Sequence, residues 1–192
     1  MKGTDINLYQ HVARGVNGGD YFIINSQFTS DSGGTGTNRD PKAPFNAQSG
    51  MKFTPMIFNG VTYEQLSAAR VDSPFEGDSV LSPSGELVIS RLAGGEDGGA
   101  LGYVVRKVKT EKFENNYVVN IDEVMGRYCL SGAKANISFD ERFFVTHQYR
   151  EDETANILLV DMLTSEVHEV TDMPATYKAL FPHFRSDGWF YF

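Results

Sequence analysis

One local pattern recurs along this chain: an apolar residue, a four-residue polar turn, then a strand of β-branched and aromatic residues. Leu81-Ser82-Pro83-Ser84-Gly85-Glu86-Leu87-Val88-Ile89-Ser90 aligns with Ile137-Ser138-Phe139-Asp140-Glu141-Arg142-Phe143-Phe144-Val145-Thr146. Both align with Phe184-Arg185-Ser186-Asp187-Gly188-Trp189-Phe190-Tyr191-Phe192, and a weaker copy is Asn17-Gly18-Gly19-Asp20-Tyr21-Phe22-Ile23-Ile24. The turn rests on Ser, Asp or Gly because it needs local side-chain hydrogen bonds or a permissive backbone. Its equivalent positions, Gly19, Gly85, Glu141 and Gly188, lie 66, 56 and 47 residues apart. A chain built this way is constrained to stack repeated units, because a single unit cannot bury its own apolar strands.

The rest of the sequence agrees. Few windows carry an apolar stripe at helical spacing, whereas short runs such as Tyr103-Val104-Val105, Tyr117-Val118-Val119 and Ile157-Leu158-Leu159-Val160 recur between Gly, Asn, Asp and Ser clusters. Asn59-Gly60 between Met56-Ile57-Phe58 and Val61-Thr62-Tyr63 predicts a two-residue type I′ hairpin, since both residues tolerate positive φ. The chain therefore reads as all-β. A period of about 40 to 50 residues is that of a four-stranded propeller blade, with loop insertions lengthening the earlier units. The expected fold is a partial β-propeller of three four-stranded blades plus the start of a fourth, with a β-sandwich as the alternative. The units fall at about 5–75, 78–130, 133–172 and 179–192.

The third unit is the clearest. An inner strand ends at Ile137, the turn Ser138–Glu141 leads to a strand over Phe143–Gln148, and Arg150-Glu151-Asp152-Glu153 makes the next turn. Asn156–Met162 is the third strand, Thr164-Ser165-Glu166 a turn, and Val167–Val170 the outer strand. Ser138-Phe139-Asp140-Glu141, Ile157-Leu158-Leu159-Val160-Asp161, Ser165-Glu166 and Val170-Thr171 together resemble the TolB-type repeat, the Ser-Pro-Asp-Gly family of WD40-like propeller repeats. Ser82-Pro83-Ser84-Gly85 and Arg185-Ser186-Asp187-Gly188 supply further turns of that kind, although no copy reads Ser-Pro-Asp-Gly in full. The resemblance covers about residues 78–192 well and 5–75 loosely. It implies a propeller fold and tilts localisation toward an extracytoplasmic, periplasmic or secreted, setting.

Propellers close a ring to remove sheet edges. Here Tyr21–Asn25 and Trp189–Phe192 are both second strands, so they duplicate rather than complement each other. The expectation is a segment of a longer propeller, with its aromatic strand Trp189-Phe190-Tyr191-Phe192 covered by further blades or by another chain.

Composition narrows the function classes. Seventeen basic against 25 acidic side chains give a net charge of −8, and there is no basic stripe, so nucleic acid is a poor partner. No apolar stretch approaches the roughly 18 to 20 residues of a spanning helix, and membrane insertion is not expected. Cys129 is the only cysteine, which excludes an internal disulfide and a cysteine-based zinc site. The start, Met1-Lys2-Gly3-Thr4-Asp5, shows no secretory signal.

Two Gly-rich insertions and two histidines are the candidate site residues. The insertion at 29–49 carries Asp31 and Asp40, and Gly94–Gly99 carries Glu96 and Asp97. Such loops can wrap Ca²⁺, which takes six to eight flexible oxygen ligands, though a solvated loop is the simpler reading. His147 ends a strand and His183 lies in an inner strand, where a propeller's central face is lined. Two histidines meeting there with a carboxylate would hold a divalent metal. That arrangement is similar to the propeller enzymes that cleave oligogalacturonate, in repeat type only.

Other blocks carry less. Gly77-Asp78-Ser79 lacks the Leu and the partner base of a hydrolase block, and Ser131-Gly132-Ala133-Lys134 falls in a linker and strand rather than at a helix start. Cys129 in a strand context reads as a buried inert thiol, and Asn136-Ile137-Ser138 as an unmodified inner strand. The expected function is a non-catalytic interaction module presenting loops to a protein or glycan partner. The alternative is part of a propeller-fold lyase or hydrolase with a histidine-lined metal site.

Overall fold

The computed structural model describes residues 10–14, 21–29, 49–94, 99–114 and 116–192, and among them every regular element is a strand. The first sheet runs β1 (Gln10–Arg14), β2 (Tyr21–Thr29), β3 (Ser49–Phe58), with β4 (Tyr63–Gln65) and β5 (Ala69–Asp72) sharing the outer edge of β3. β4 takes residues 56–58 of β3 and β5 takes 50–53. This sheet is thus five-stranded rather than four, with two short strands sharing one edge of the ten-residue β3.

The second sheet is β6 (Glu76–Leu81), β7 (Leu87–Gly94), β8 (Gly99–Lys107) and β11 (Val124–Tyr128), in that spatial order. A separate two-stranded ribbon, β9 (Lys109–Phe113) and β10 (Asn116–Asn120), is inserted between its third and fourth strands. The third sheet is a plain antiparallel meander of β12 (Ala133–Ile137), β13 (Phe143–Tyr149), β14 (Ala155–Asp161) and β15 (Val167–Glu169). A final hairpin pairs β16 (His183–Phe184) with β17 (Phe190–Tyr191). The first strands of successive sheets lie beside one another in chain order: β1 by β6, β6 by β12, β12 by β16.

The apolar runs of the second and third sheets are continuous because these two sheets are buried on both faces. Val88 and Ile89 are neighbours on β7, yet Val88 packs toward Met51, Phe53 and Tyr117 while Ile89 packs toward Ala135, Ile137 and Phe144. On β13, Phe144 joins the cluster between the second and third sheets, and Val145 joins Ile157, Ala179, Phe184 and Phe190 on the other side. Successive side chains on a strand point to opposite faces, so two adjacent apolar residues serve two different cores. Tyr103 and Tyr128 meet the Phe144 ring at 5.3 and 5.2 Å between centroids, which ties the second sheet to the third.

The repeated turns share one hydrogen-bond scheme. Ser82 N–H donates to Leu87 O at 2.8 Å and Ser82 Oγ accepts from Leu87 N–H at 3.0 Å. Ser138 repeats both bonds with Phe143, each at 2.9 Å. Gly85, Glu141 and Gly188 each donate back to the turn's first residue and each sits at positive φ, 79°, 57° and 88°. Arg185 has no hydroxyl to offer, and that last turn closes one residue earlier, Arg185 N–H to Trp189 O. Glu141 Oε1 also accepts the Ser84 N–H at 2.9 Å, so the second and third turns are linked directly.

The Asn59-Gly60 hairpin differs from expectation. Phe58 pairs with Tyr63 and Asn59 N–H donates to Thr62 O, which moves the tip to Gly60-Val61. Only Gly60 takes positive φ, while Asn59 Oδ1 accepts the N–H groups of Val61 and Thr62 at 3.0 and 2.9 Å. An Asn side chain that caps two backbone donors is more useful before the tip than in it.

Candidate functional site

A partly buried group of ionisable side chains lies where the second and third sheets meet. Asp78 on β6 and Lys134 on β12 both stand four residues before the first residue of their turns, Ser82 and Ser138. Phe181 stands four before Arg185. All three take positive φ, 49°, 60° and 54°, an arrangement that costs roughly 1–2 kcal/mol for a residue with a side chain. The β6–β7 and β12–β13 registers slip at these points, Gly77/Val80 and Ala133/Asn136. Each slip is a β-bulge that redirects a side chain toward the neighbouring sheet.

Asp78 is buried and receives two cations. Lys134 Nζ reaches Asp78 Oδ1 at 2.6 Å across the sheet boundary, and Arg91 Nη2 reaches Oδ2 at 3.2 Å from β7. Arg91 and His147 are again repeat equivalents, nine residues after Ser82 and Ser138. So the second sheet places a cation beside an anion, while the third places His147 beside a second cation, Lys134. The consequence is electrostatic: His147 is pushed down to about 4, first by burial, then by Lys134 and Arg91, with Asp78 opposing. It is neutral at pH 7. Its Nδ1 accepts the Phe181 N–H at 3.4 Å, and its ring meets those of Tyr149 and Phe181 edge-on at 5.3 Å.

Polar contacts continue beside this cluster. Tyr103 Oη and Thr146 Oγ1 are 2.7 Å apart, joining β8 to β13, and burial raises the phenol well above its ordinary value. Ser79 Oγ and Ser90 Oγ are 2.8 Å apart. Glu76 is buried and clasped by Arg106, Nε at 3.0 Å and Nη2 at 2.5 Å from Oε1. A neutral imidazole with so low a value is a weak proton acceptor, and a phenol held in its protonated form is no nucleophile. The arrangement is suited to locking two sheets together.

Asp31, Asp40, Glu96 and Asp97 lie outside the described residues. Gly94 pairs with Gly99, so β7 and β8 are paired up to the residues that flank 95–98. His147 sits inside β13, not at its end, and is buried; His183 opens β16, half-buried, with the Tyr191 ring at 5.8 Å. Their ring neighbours differ. Among the described residues no group of three or more His, Cys, Asp or Glu is arranged to hold a metal. Ser131 accepts from Gln148 Nε2 at 2.6 Å while Lys134 serves Asp78, so that Ser and Lys have separate partners. Cys129 corrects the expectation of a buried thiol: it is exposed, because it follows the last residue of β11 and leaves the sheet there.

Asp78, Arg91 and Lys134 were missed as site residues. The signal was present: setting the copies in register by their turns places an aspartate and a lysine in one column, with Arg91 and His147 in another.

No family model matches the sequence, and no curated protein matches it. Among solved structures, one described as TolB from Agrobacterium tumefaciens aligns over 76% of this chain and 50% of its own, at 15% identity and a TM-score of 0.45. TolB from Acinetobacter baumannii aligns over 96% of this chain and 36% of its own, at 10% identity and a TM-score of 0.46. The chain therefore spans half of the first and about a third of the second. Likeness at this level bears on neither activity nor partner.

Proposed function

We propose that this chain is a non-catalytic interaction module of β-propeller type, TolB-like in its repeats, whose partner is a protein. Support for the blade arrangement comes from meander sheets that succeed one another in chain order with their first strands side by side. The observation that carries the non-catalytic reading is the Asp78 cluster, in which two cations converge on one carboxylate and the adjacent histidine is held neutral. Buried polar groups spent on one another hold sheets in register and leave the surface to do the binding.

That surface is rich in uncovered apolar side chains near the last hairpin. Tyr177, Phe181, Trp189, Tyr191 and Phe192 are all exposed, Trp189 to 73%. Aromatic residues gathered in this way form a face for further blades of a longer chain, or another protein, to cover. An extracytoplasmic location goes with this reading through the repeat resemblance.

The test is a titration with Mn²⁺, Zn²⁺ and Ca²⁺ followed on the imidazole NMR signals. The module reading predicts that His147 and His183 stay unperturbed together. Simultaneous broadening of both by Mn²⁺ would replace it with a metal-dependent propeller enzyme.

A further inference from the structure

The β9–β10 ribbon is an amphipathic strand pair with one face committed and one open. Its inner residues Tyr117 and Val119 pack with Met51, Phe53, Leu66 and Val71 of the first sheet, so the ribbon is pinned to the body of the protein. By strand alternation the other face presents Lys109, Glu111 and Phe113 opposite Asn120, Val118 and Asn116. Phe113 and Val118 are more than half exposed, and among the described residues neither strand pairs with a third. A cleft of about 590 Å³ lies against this face, its lining completed by Asp122 and Glu123.

Charge decides what fits. The cleft holds three carboxylates, Glu111, Asp122 and Glu123, against one ammonium, Lys109, and that ammonium is already engaged with Glu123 at 2.8 Å. An acidic partner would be repelled, and a purely apolar one would leave the carboxylates facing an interface of low polarity. We propose that this face docks an extended polypeptide segment whose ribbon-facing residues, every second position, are in turn Lys or Arg and apolar. Its apolar side chains cover Val118 and Phe113 while its cations, on the same side of the segment, meet Glu111 and Asp122. The occupant belongs to a second protein. The proposal builds on the interaction-module reading and uses a different surface from the aromatic one.

The experiment titrates the full chain with a capped peptide repeating Lys-Ser-Val-Ser, and with its Glu-Ser-Val-Ser counterpart, followed by backbone amide shifts. The lysine peptide is expected to shift the ribbon and the connection at 121–123 selectively, and the glutamate peptide to leave them in place. Glu111→Lys with Asp122→Lys, both at exposed positions, should weaken binding by about tenfold or more. Val118→Ser should weaken it with no change in melting behaviour. Shifts spread over the whole acidic surface, equal response to both peptides, absence of binding, or indifference to the charge reversal would each overturn the proposal. The metal titration above is unaffected by any of these outcomes, so the two ideas fail separately.

Discussion

His147 gives the sharpest quantitative consequence. Its imidazole titrates at about 4 in the folded protein against about 6.5 in an unfolded chain. The unfolded state therefore takes up a proton first as pH falls, and stability declines with acid. The contribution is fully present above about pH 6.5 and is lost progressively as pH falls through 4. A gap of this size corresponds to about 3 kcal/mol, with a slope approaching about 1.4 kcal/mol per pH unit inside the window. The structural cause is specific: a buried ring beside Lys134 and Arg91 with only Asp78 to oppose them. His147→Asn keeps an acceptor near the Nδ1 position and cannot charge. Urea unfolding of both proteins from pH 7.5 to 4 isolates the effect, because the difference between them removes every other titrating group. The natural protein should lose about 3 kcal/mol more than the variant across that range. A pH-independent difference, or an imidazole signal titrating near 6.5, would refute the reasoning.

Three further outcomes follow from single contacts. Gly132→Ala places a Cβ 2.7 Å from Thr146 Oγ1 and 2.8 Å from the Tyr103 hydroxyl, so it should cost about 1–3 kcal/mol and lower the melting temperature. Ser138→Ala leaves the Phe143 N–H without its side-chain acceptor, and chemical denaturation should show a loss of about 1–2 kcal/mol. Cys129 should react stoichiometrically with a thiol reagent in native buffer, at a rate that denaturant does not greatly raise.

Much of the fold was legible because its determinants are local. Ser82 and Ser138 announce turns by a hydroxyl placed five residues before the N–H it accepts, and Val88-Ile89 and Phe144-Val145 announce sheets buried on two faces. The hairpin tip at 60–61 escaped prediction because Asn59 has two uses, positive φ and backbone capping, and only tertiary pairing chooses between them. The inserted ribbon escaped because Tyr117-Val118-Val119 reads like any other blade strand; that it packs on the first sheet rather than extending the second is a long-range fact. The bulge column escaped for a different reason. Asp78, Lys134 and Phe181 share a backbone angle and no side-chain chemistry, so residue type hides an equivalence that only the register of the turns reveals.

The sheets succeed one another in chain order, and the second is locked to the third across a polar and aromatic boundary. Through-space NMR contacts from the Phe144 ring test this most directly. Contacts to both Tyr103 and Tyr128 rings, together with one between the Tyr103 ring and the Thr146 methyl, are the predicted result. A Phe144 ring that instead contacts Met51 and Phe53 of the first sheet would mean a different stacking order, and the boundary described here would not exist.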